Sequence, residues 1–394
     1  MPAPHSRRTT VTLFILVVFF FWIALYLYLP TLPLYIQSKT GSMAMVGLIL
    51  AQYGLWLALA RLPLGIAADW LGRRKPFILV GIFLVGLGAW LTGTADSATG
   101  LAVGRAVAGV SAATWVPMVV MFTSLYPARE AVRATAMVTA VSSVGRAAAP
   151  SLTGLLNGLG GYALAFFLAA AIAVVTFLIM LPMPEVPRPV QRPSLSGIGR
   201  LISRRDVLVP SLLDAAVQYV VWAIALGFLA IRAAELGASD VWVGLLVSLH
   251  LAMVAGGNFL AALLVKQFSA GRLVPLCIVV MAASLGATAL VPSLALLFVT
   301  QVVMGLAHGV IFPLLMGMSI EYVPDAQRTT AMGLHQAIYA AGIFVGPWLS
   351  GLLAEAIGLR PMFGVTAFAF LGVGLLLNHL LPRGAPGQSP VEPA

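Results

Sequence analysis

Apolar runs of about twenty residues succeed one another along the chain, each closed by a short cluster of charge, Pro or Gly. A run of that length crosses a hydrocarbon core as a helix. Read between those breaks, the pattern predicts spans at 11–37, 43–68, 76–93, 98–126, 129–157, 161–183, 207–235, 240–265, 272–291, 293–322, 325–355 and 359–382, numbered here as spans 1 to 12. Helices close their own backbone hydrogen bonds, as lipid requires. Gly and Pro inside the runs fit membrane helices better than a buried soluble core. The pattern therefore predicts an all-α integral membrane protein.

Part of the sequence is written twice. Gly104-Arg105-Ala106-Val107-Ala108-Gly109, followed by Pro117, returns as Thr300-Gln301-Val302-Val303-Met304-Gly305, followed by Pro313. Arg133-Ala134-Thr135-Ala136-Met137 returns as Arg328-Thr329-Thr330-Ala331-Met332. The offset is 196 residues, then 195, close to half the chain. Twelve spans with such a repeat predict two pseudo-symmetric six-helix bundles, 1–183 and 207–382, an arrangement common among secondary transporters. The Pro- and Arg-rich 184–206 is expected to be a cytoplasmic linker, and the Pro/Gly-rich 383–394 a disordered tail.

Composition agrees: 61% of the residues are hydrophobic and 9% charged, against roughly 25% charged in soluble domains. Arg7 and Arg8 before the first run imitate a secretory leader. The run is too long for one and lacks a small-residue cleavage site, so it is read as a retained helix. The net charge of +10 raises nucleic acid as a partner, and its distribution argues against that. With the N-terminus in the cytoplasm, sixteen of the 22 Lys and Arg fall inside, three outside and three (Arg61, Arg105, Arg146) within spans. The positive-inside rule then predicts cytoplasmic termini, with anionic lipid headgroups as partners of the basic loops. Cys277 stands alone, and Asn157, Asn258 and Asn378 open no glycosylation site. Both facts fit a bacterial inner (cytoplasmic) membrane.

The loop between spans 2 and 3 reads Gly65-Ile66-Ala67-Ala68-Asp69-Trp70-Leu71-Gly72-Arg73-Arg74-Lys75. It resembles the signature loop of the major facilitator superfamily, Gly-X-Leu-Ala-Asp-Arg-X-Gly-Arg-Arg/Lys, with Ala67 and Trp70 in place of the family's Leu and Arg. The resemblance implies that Gly65, Asp69, Gly72, Arg73 and Arg74 close the cytoplasmic side in one transport state, with the start of span 11 near Arg328 as counterpart. A carboxylate facing a helix N-terminus supplies the physics. A solvated basic loop is the alternative. The second half keeps only Lys266 and Gly271-Arg272 there, so the lock is expected to be one-sided.

Leu101-Ala102-Val103-Gly104-Arg105-Ala106-Val107-Ala108-Gly109 resembles the superfamily's span 4 motif, whose Arg is associated with proton transfer in proton-coupled members. Arg105 otherwise snorkels to the outer surface. Gly145-Arg146-Ala147-Ala148-Ala149-Pro150 resembles a degraded form of the motif of twelve-helix drug–proton antiporters, and Gly342, Gly346-Pro347 and Gly351 on span 11 form a better-spaced copy. Generic helix packing explains these glycines equally well. Arg146 lies too deep to snorkel easily and is a candidate for the wall of a central cavity.

Asp214 on span 7 is the one carboxylate well inside a span, and Gln218 and Trp222 follow on the same helical face. It is a candidate proton site, or else an interfacial acid paired with Arg204 or Arg205. Three histidines lie near the midplane: His250, His308 and His335, with Tyr339 one turn after the last. Histidine titrates near neutral pH; a membrane histidine is also a common packing group. Among the three, His308 is the best placed. Their spacing implies no metal site. Span 1 carries Phe19, Phe20, Phe21, Trp22, Tyr26 and Tyr28 and no acid. Trp22, Tyr26, Tyr53, Arg146, Gln218, Trp222, Gln301 and Tyr339 are the candidates to line a substrate cavity.

The leading expectation is a monomeric secondary transporter working by alternating access, exporting amphipathic organic compounds in exchange for protons. The alternatives are transport of an organic anion through a cavity made positive by Arg105 and Arg146, and a membrane sensor or scaffold that moves nothing. No catalytic constellation, cofactor motif or nucleotide-binding loop is present in the sequence, so neither an enzyme nor an ATP-driven pump is expected.

Overall fold

The computed structural model describes residues 7–185 and 201–381. Most of the 184–206 linker and all of the 383–394 tail lie outside the described residues. Among those described, the chain is helical with short connections and no strand. Among the described residues, eleven helices are long and apolar enough to cross a membrane. One of them, Ala131–Met180, runs to 50 residues, twice the need of one crossing. It turns at Gly160 and Gly161, where the backbone leaves helical geometry and Gly161 takes φ +66°. Only glycine enters that region without strain. The turn divides the helix into spans 5 and 6, and the architecture is the expected twelve-span one. Large apolar side chains such as Phe83, Phe259, Leu290 and Phe368 stand exposed, as a lipid-facing surface requires.

Three spans depart from regular helix. Span 1 comprises Arg7–Tyr26 and Leu32–Thr40, with a bend between them. Pro30 and Pro33 donate no backbone hydrogen bond, and within the bend the Leu27 carbonyl accepts from Thr153 Oγ1 at 2.5 Å. Span 4 is Ala98–Ala112 and Trp115–Thr123, interrupted where Ser111 and Thr114 turn their hydroxyls back onto the Ala108 and Ser111 carbonyls. Span 7 runs as α-helix over Arg205–Val220, widens to a π-helix at Val221–Phe228, and resumes at Leu229–Glu235. Stretches of π-helix are rare and recur at functional sites.

The described residues fall into two compact units. The first is bounded by Met1–Gly41, Leu55–Pro193 and Ala238–Ser248, the second by Ser42–Gly54, Ser194–Gly237 and Leu249–Ala394. Glycines set the closest helix approaches in each. In the second unit a Cβ at Gly342 would meet the Ala215 backbone, one at Gly346 would lie 2.6 Å from the Tyr219 carbonyl, and one at Gly351 2.8 Å from Gly47 Cα. In the first unit a Cβ at Gly145 would lie 3.0 Å from the Phe19 carbonyl and 3.2 Å from Trp22 Cβ. Small residues at such crossings let helices approach closely without a hydrophobic driving force between them.

Candidate functional site

The seating of span 11 on span 7 in the second unit determines which polar groups meet. Gly342 and Gly346 rest against Ala215 and Tyr219, so the turns before them place His335 beside Ser211 and Asp214. His335 Nδ1 stands 3.0 Å from Ser211 Oγ, and His335 Nε2 stands 3.1 Å from Asp214 Oδ2. Gln218 Nε2 donates to Asp214 Oδ1 at 3.3 Å. Ser211, Asp214 and His335 are fully enclosed, and Gln218 is 6% exposed.

Hydrogen-bond bookkeeping constrains the protons. The Ser211 hydroxyl donates to the Val207 carbonyl at 2.6 Å. It has one proton to give, so at His335 Nδ1 it accepts, and Nδ1 carries hydrogen. Nε2 and Oδ2 would then oppose lone pairs at 3.1 Å unless a proton lies between them. One shared proton, on nitrogen as an imidazolium–carboxylate pair or on oxygen as a neutral one, would remove that opposition; as placed, the two atoms stand at ion-pair distance without hydrogen-bond geometry. A buried carboxylate alone would be strongly unfavourable. Ser, His and Asp together invite comparison with a hydrolase triad; here the serine is fully buried, its proton is committed to a main-chain carbonyl, and the aspartate meets Nε2 while the serine meets Nδ1.

The interfacial alternative for Asp214 is corrected. Arg204 pairs with Asp206 and donates to the Tyr322 carbonyl at 2.8 Å, and the Asp206 hydrogen bond raises the guanidinium pKa above its ordinary value. His335, on another helix, is the partner of Asp214. It is also His335, rather than His308, that reaches this acid. The rings of His250 and His308 lie 6.1 Å apart at 24°. Phe312 and Tyr339 continue from His308 to His335 in ring-to-ring steps of 6.2, 6.1 and 5.7 Å. Gln301 is fully buried on the same span as His308, and Trp222, in the π-helical stretch, stacks on Tyr53 at 4.7 Å and 21°.

The first unit holds a different cluster. Seated through Gly145, span 5 brings the Arg146 guanidinium over the Trp22 ring, 4.6 Å from its centroid. Arg146 Nη2 donates to Ser142 Oγ at 3.1 Å and Nε to the Ser142 carbonyl at 3.4 Å. Trp115 and Tyr26 pack edge-on to Trp22 at 5.4 and 5.8 Å. Arg105 is 1% exposed, with the Tyr28 hydroxyl beside its guanidinium. It is enclosed by protein instead of reaching out to the membrane surface.

Of the expected gating residues, the Asp69 side chain lies outside what the structure describes. Gly72 takes φ +63°, as a tight turn there requires, whereas a Cβ at Gly65 would meet nothing within 4 Å. Arg73 is exposed, and Arg328 Nε donates to the Val323 carbonyl at 3.2 Å. Glu185 was not singled out in the sequence. Its carboxylate accepts from the Arg74 and Lys75 amides at the start of span 3, while Lys75 Nζ reaches the Leu181 and Met183 carbonyls at 2.7 and 2.6 Å. Glu355 caps the start of span 2 in the same way, accepting from the Met43 amide at 2.6 Å. An acid arriving from distant sequence to cap a helix leaves no local signature. Among the described residues no group of three His, Cys, Asp or Glu stands close enough to hold a metal.

These features, a duplicated twelve-span helical fold with buried ionisable groups on facing helices, define a membrane transport protein. The profile of the Major Facilitator Superfamily matches residues 14–231 and 212–394, and the chain belongs to that superfamily. An uncharacterized MFS-type transporter of Methanocaldococcus jannaschii is 20% identical over 364 residues, 88% of this chain and 92% of the relative. The multidrug resistance protein Stp of Mycobacterium tuberculosis is 31% identical over 140 residues, 35% of this chain and 26% of Stp. Among solved structures, a bacterial homolog of the human lysosomal transporter Spinster superposes with a TM-score of 0.83 at 18% identity, over 95% of this chain and 96% of that one. The nucleoside transporter NupG superposes at 0.80 with 15% identity, over 95% and 100%. At such identities the likeness concerns the fold. The protein is an integral membrane transporter of a small molecule, not an enzyme.

Proposed function

We propose that this protein exports amphipathic organic compounds in exchange for protons by alternating access, and that the Asp214–His335 pair carries the coupling proton. The observation behind the coupling is the 3.1 Å approach of Nε2 to Oδ2 in a fully enclosed site. With its proton the pair is neutral overall. Without it, one negative charge remains, and His335 must turn its single hydrogen to Nε2 to face Asp214. Nδ1 then accepts from Ser211, whose hydroxyl leaves the Val207 carbonyl. Proton release is thus tied to a rearrangement at the span 7–span 11 contact, and coupling needs such a link between charge and conformation. Among the described groups, Gln218 and Tyr339 are the other polar neighbours, and Arg204 is held by Asp206.

Efflux of amphipathic compounds is supported by the antiporter-like glycines of span 11, the aromatic residues of span 1 and the partial likeness to Stp. We place a monomer in a bacterial inner membrane with both termini cytoplasmic, on the Lys and Arg distribution. On the resemblance of the loop, Asp69 with Gly65, Gly72, Arg73, Arg74 and Arg328 gates the cytoplasmic side.

The test uses proteoliposomes and a tracer found by thermal-shift screening of charged and neutral compounds at two pH values. Asp214→Asn lowers pH-gradient-driven transport at least hundredfold and leaves counterflow exchange near the wild-type rate. Retained gradient-driven transport overturns the coupling. Wild-type protein that gives neither activity with any ligand it binds favours the sensor reading.

A further inference from the structure

We propose that the Arg146–Trp22–Trp115 cluster of the first unit is a binding subsite for organic anions that carry an aromatic ring. It deepens the transport reading above by naming a substrate class, and rests on that reading only for the movement of the ligand, not for its binding.

Arg146 sits in the body of span 5, where a cation costs roughly 3 kcal/mol or more unless something neutralises it. Nothing described does so. Its contacts are the Ser142 hydroxyl and carbonyl and the face of Trp22, and among the described residues no carboxylate lies within ion-pair distance of it. The nearby aromatic residues offset only part of the cost, since a cation over an indole gains about 0.5–2 kcal/mol. Arg105 adds a second cation to the same unit.

The arrangement is set up to receive an anion. Stacking on Trp22 and two bonds to Ser142 fix the plane of the guanidinium. The remaining donors, both hydrogens of Nη1 among them, have no protein acceptor among the described residues. Planar donors fixed in this way match a carboxylate or sulfonate in bidentate geometry. The side chain is only partly buried, so a ligand has access to it. Trp115, also partly buried, packs edge-on to Trp22 and presents an aromatic wall next to the cation. The Trp22 Nε1–H is buried with no acceptor, a second unmet donor in the cluster. Charge and ring are therefore recognised by adjacent groups: an inorganic anion would use only the first, a neutral aromatic only the second.

Equilibrium binding to the purified full-length protein in uncharged detergent tests this with four probes: 2-naphthoate, 2-naphthylmethanol, acetate and chloride. Naphthoate is expected to bind best. Arg146→Gln weakens it at least tenfold, Arg146→Lys weakens it less, and naphthylmethanol binding changes less than twofold in either variant. Trp115→Leu weakens both ring-bearing probes. Gel-filtration profiles of Arg146→Lys and Arg146→Gln that match the wild type establish that the loss is local. No naphthoate binding to the wild type, equal weakening of naphthoate and naphthylmethanol, or displacement of naphthoate by equimolar acetate or chloride each overturns the proposal. Asp214→Asn is expected to leave naphthoate affinity unchanged while removing proton-driven transport, so the subsite and the coupling pair fail separately.

Discussion

Spans 5 and 11 each meet their partners through glycine, Gly145 against Phe19 and Trp22 in the first unit and Gly342 and Gly346 against Ala215 and Tyr219 in the second, although the repeat sets Gly145 opposite Ala341. At the offset of 196 that aligns the two copies, Trp22 corresponds to Gln218, Tyr26 to Trp222, Val18 to Asp214 and Arg146 to Gly342. One seat therefore carries a cation on an indole with no acid. The other carries an acid and a histidine with no cation of fixed charge. Close helix approach tolerates only small residues, so each copy seats on glycine, at its own position along the span. The side chains around it were free to differ because each copy packs against its own neighbours. A duplicated scaffold can thus hold an anion-attracting group in one unit and a proton-holding pair in the other.

The largest expected difference between these seats is in stability. His335→Ala leaves Asp214 enclosed without its partner, and breaking such a pair costs roughly 3–5 kcal/mol. Arg146→Ala removes a charge whose cost the indole offsets only in part, and is expected to raise stability by about 1–2 kcal/mol. Thermal unfolding of both variants in the same detergent measures the contrast; equal losses would mean that Arg146 is neutralised as thoroughly as Asp214. Replacing Asp214 and His335 together by Leu should recover much of the His335→Ala loss, because no orphan charge remains.

A smaller difference is expected in the glycine seats themselves. A methyl group at Gly342 meets the Ala215 backbone, which cannot give way as a side chain can. Gly342→Ala is expected to cost about 2–3 kcal/mol by overpacking. Gly145→Ala meets the Phe19 carbonyl at 3.0 Å and Trp22 Cβ at 3.2 Å, tighter than ordinary contact, so a shift of a few tenths of an ångström is needed, and it should cost about 1 kcal/mol. Unfolding midpoints that reverse this order would show that span 5 is the more tightly held.

The smallest effect concerns the signature loop, which only the first half keeps in full. Gly72→Ala forces a side chain into φ +63° and should cost about 1–2 kcal/mol. Gly65→Ala enters open space and should be neutral or slightly stabilising through helix propensity. A transport defect in Gly65→Ala without loss of stability would mean that this glycine is needed in a state other than the one described.

Much of this was legible in the sequence. The twelve spans follow from hydropathy because lipid leaves the backbone no other way to close its hydrogen bonds. Span boundaries were less so: at the bend at 27–31 the carbonyl partner, Thr153, sits far away in the chain, and the π-helix at Val221–Phe228 falls inside a continuous apolar run. The candidate residues were readable one by one, because a charge or histidine inside an apolar run is conspicuous. Their grouping was not. Asp214 with Ser211 and His335, Arg146 with Trp22, and Glu185 capping span 3 all join residues from different helices.

By itself, then, the sequence determined the class of protein, the number of membrane crossings, the duplication and the list of polar residues that must be satisfied within the membrane. Those follow from local composition and from a solvent that cannot hydrogen-bond. Only the tertiary structure decided which polar residue satisfies which. That choice depends on the rotation and depth at which one helix seats on another, set by a few glycine contacts, and a turn of 100° about a helix axis would have given Asp214 a different neighbour.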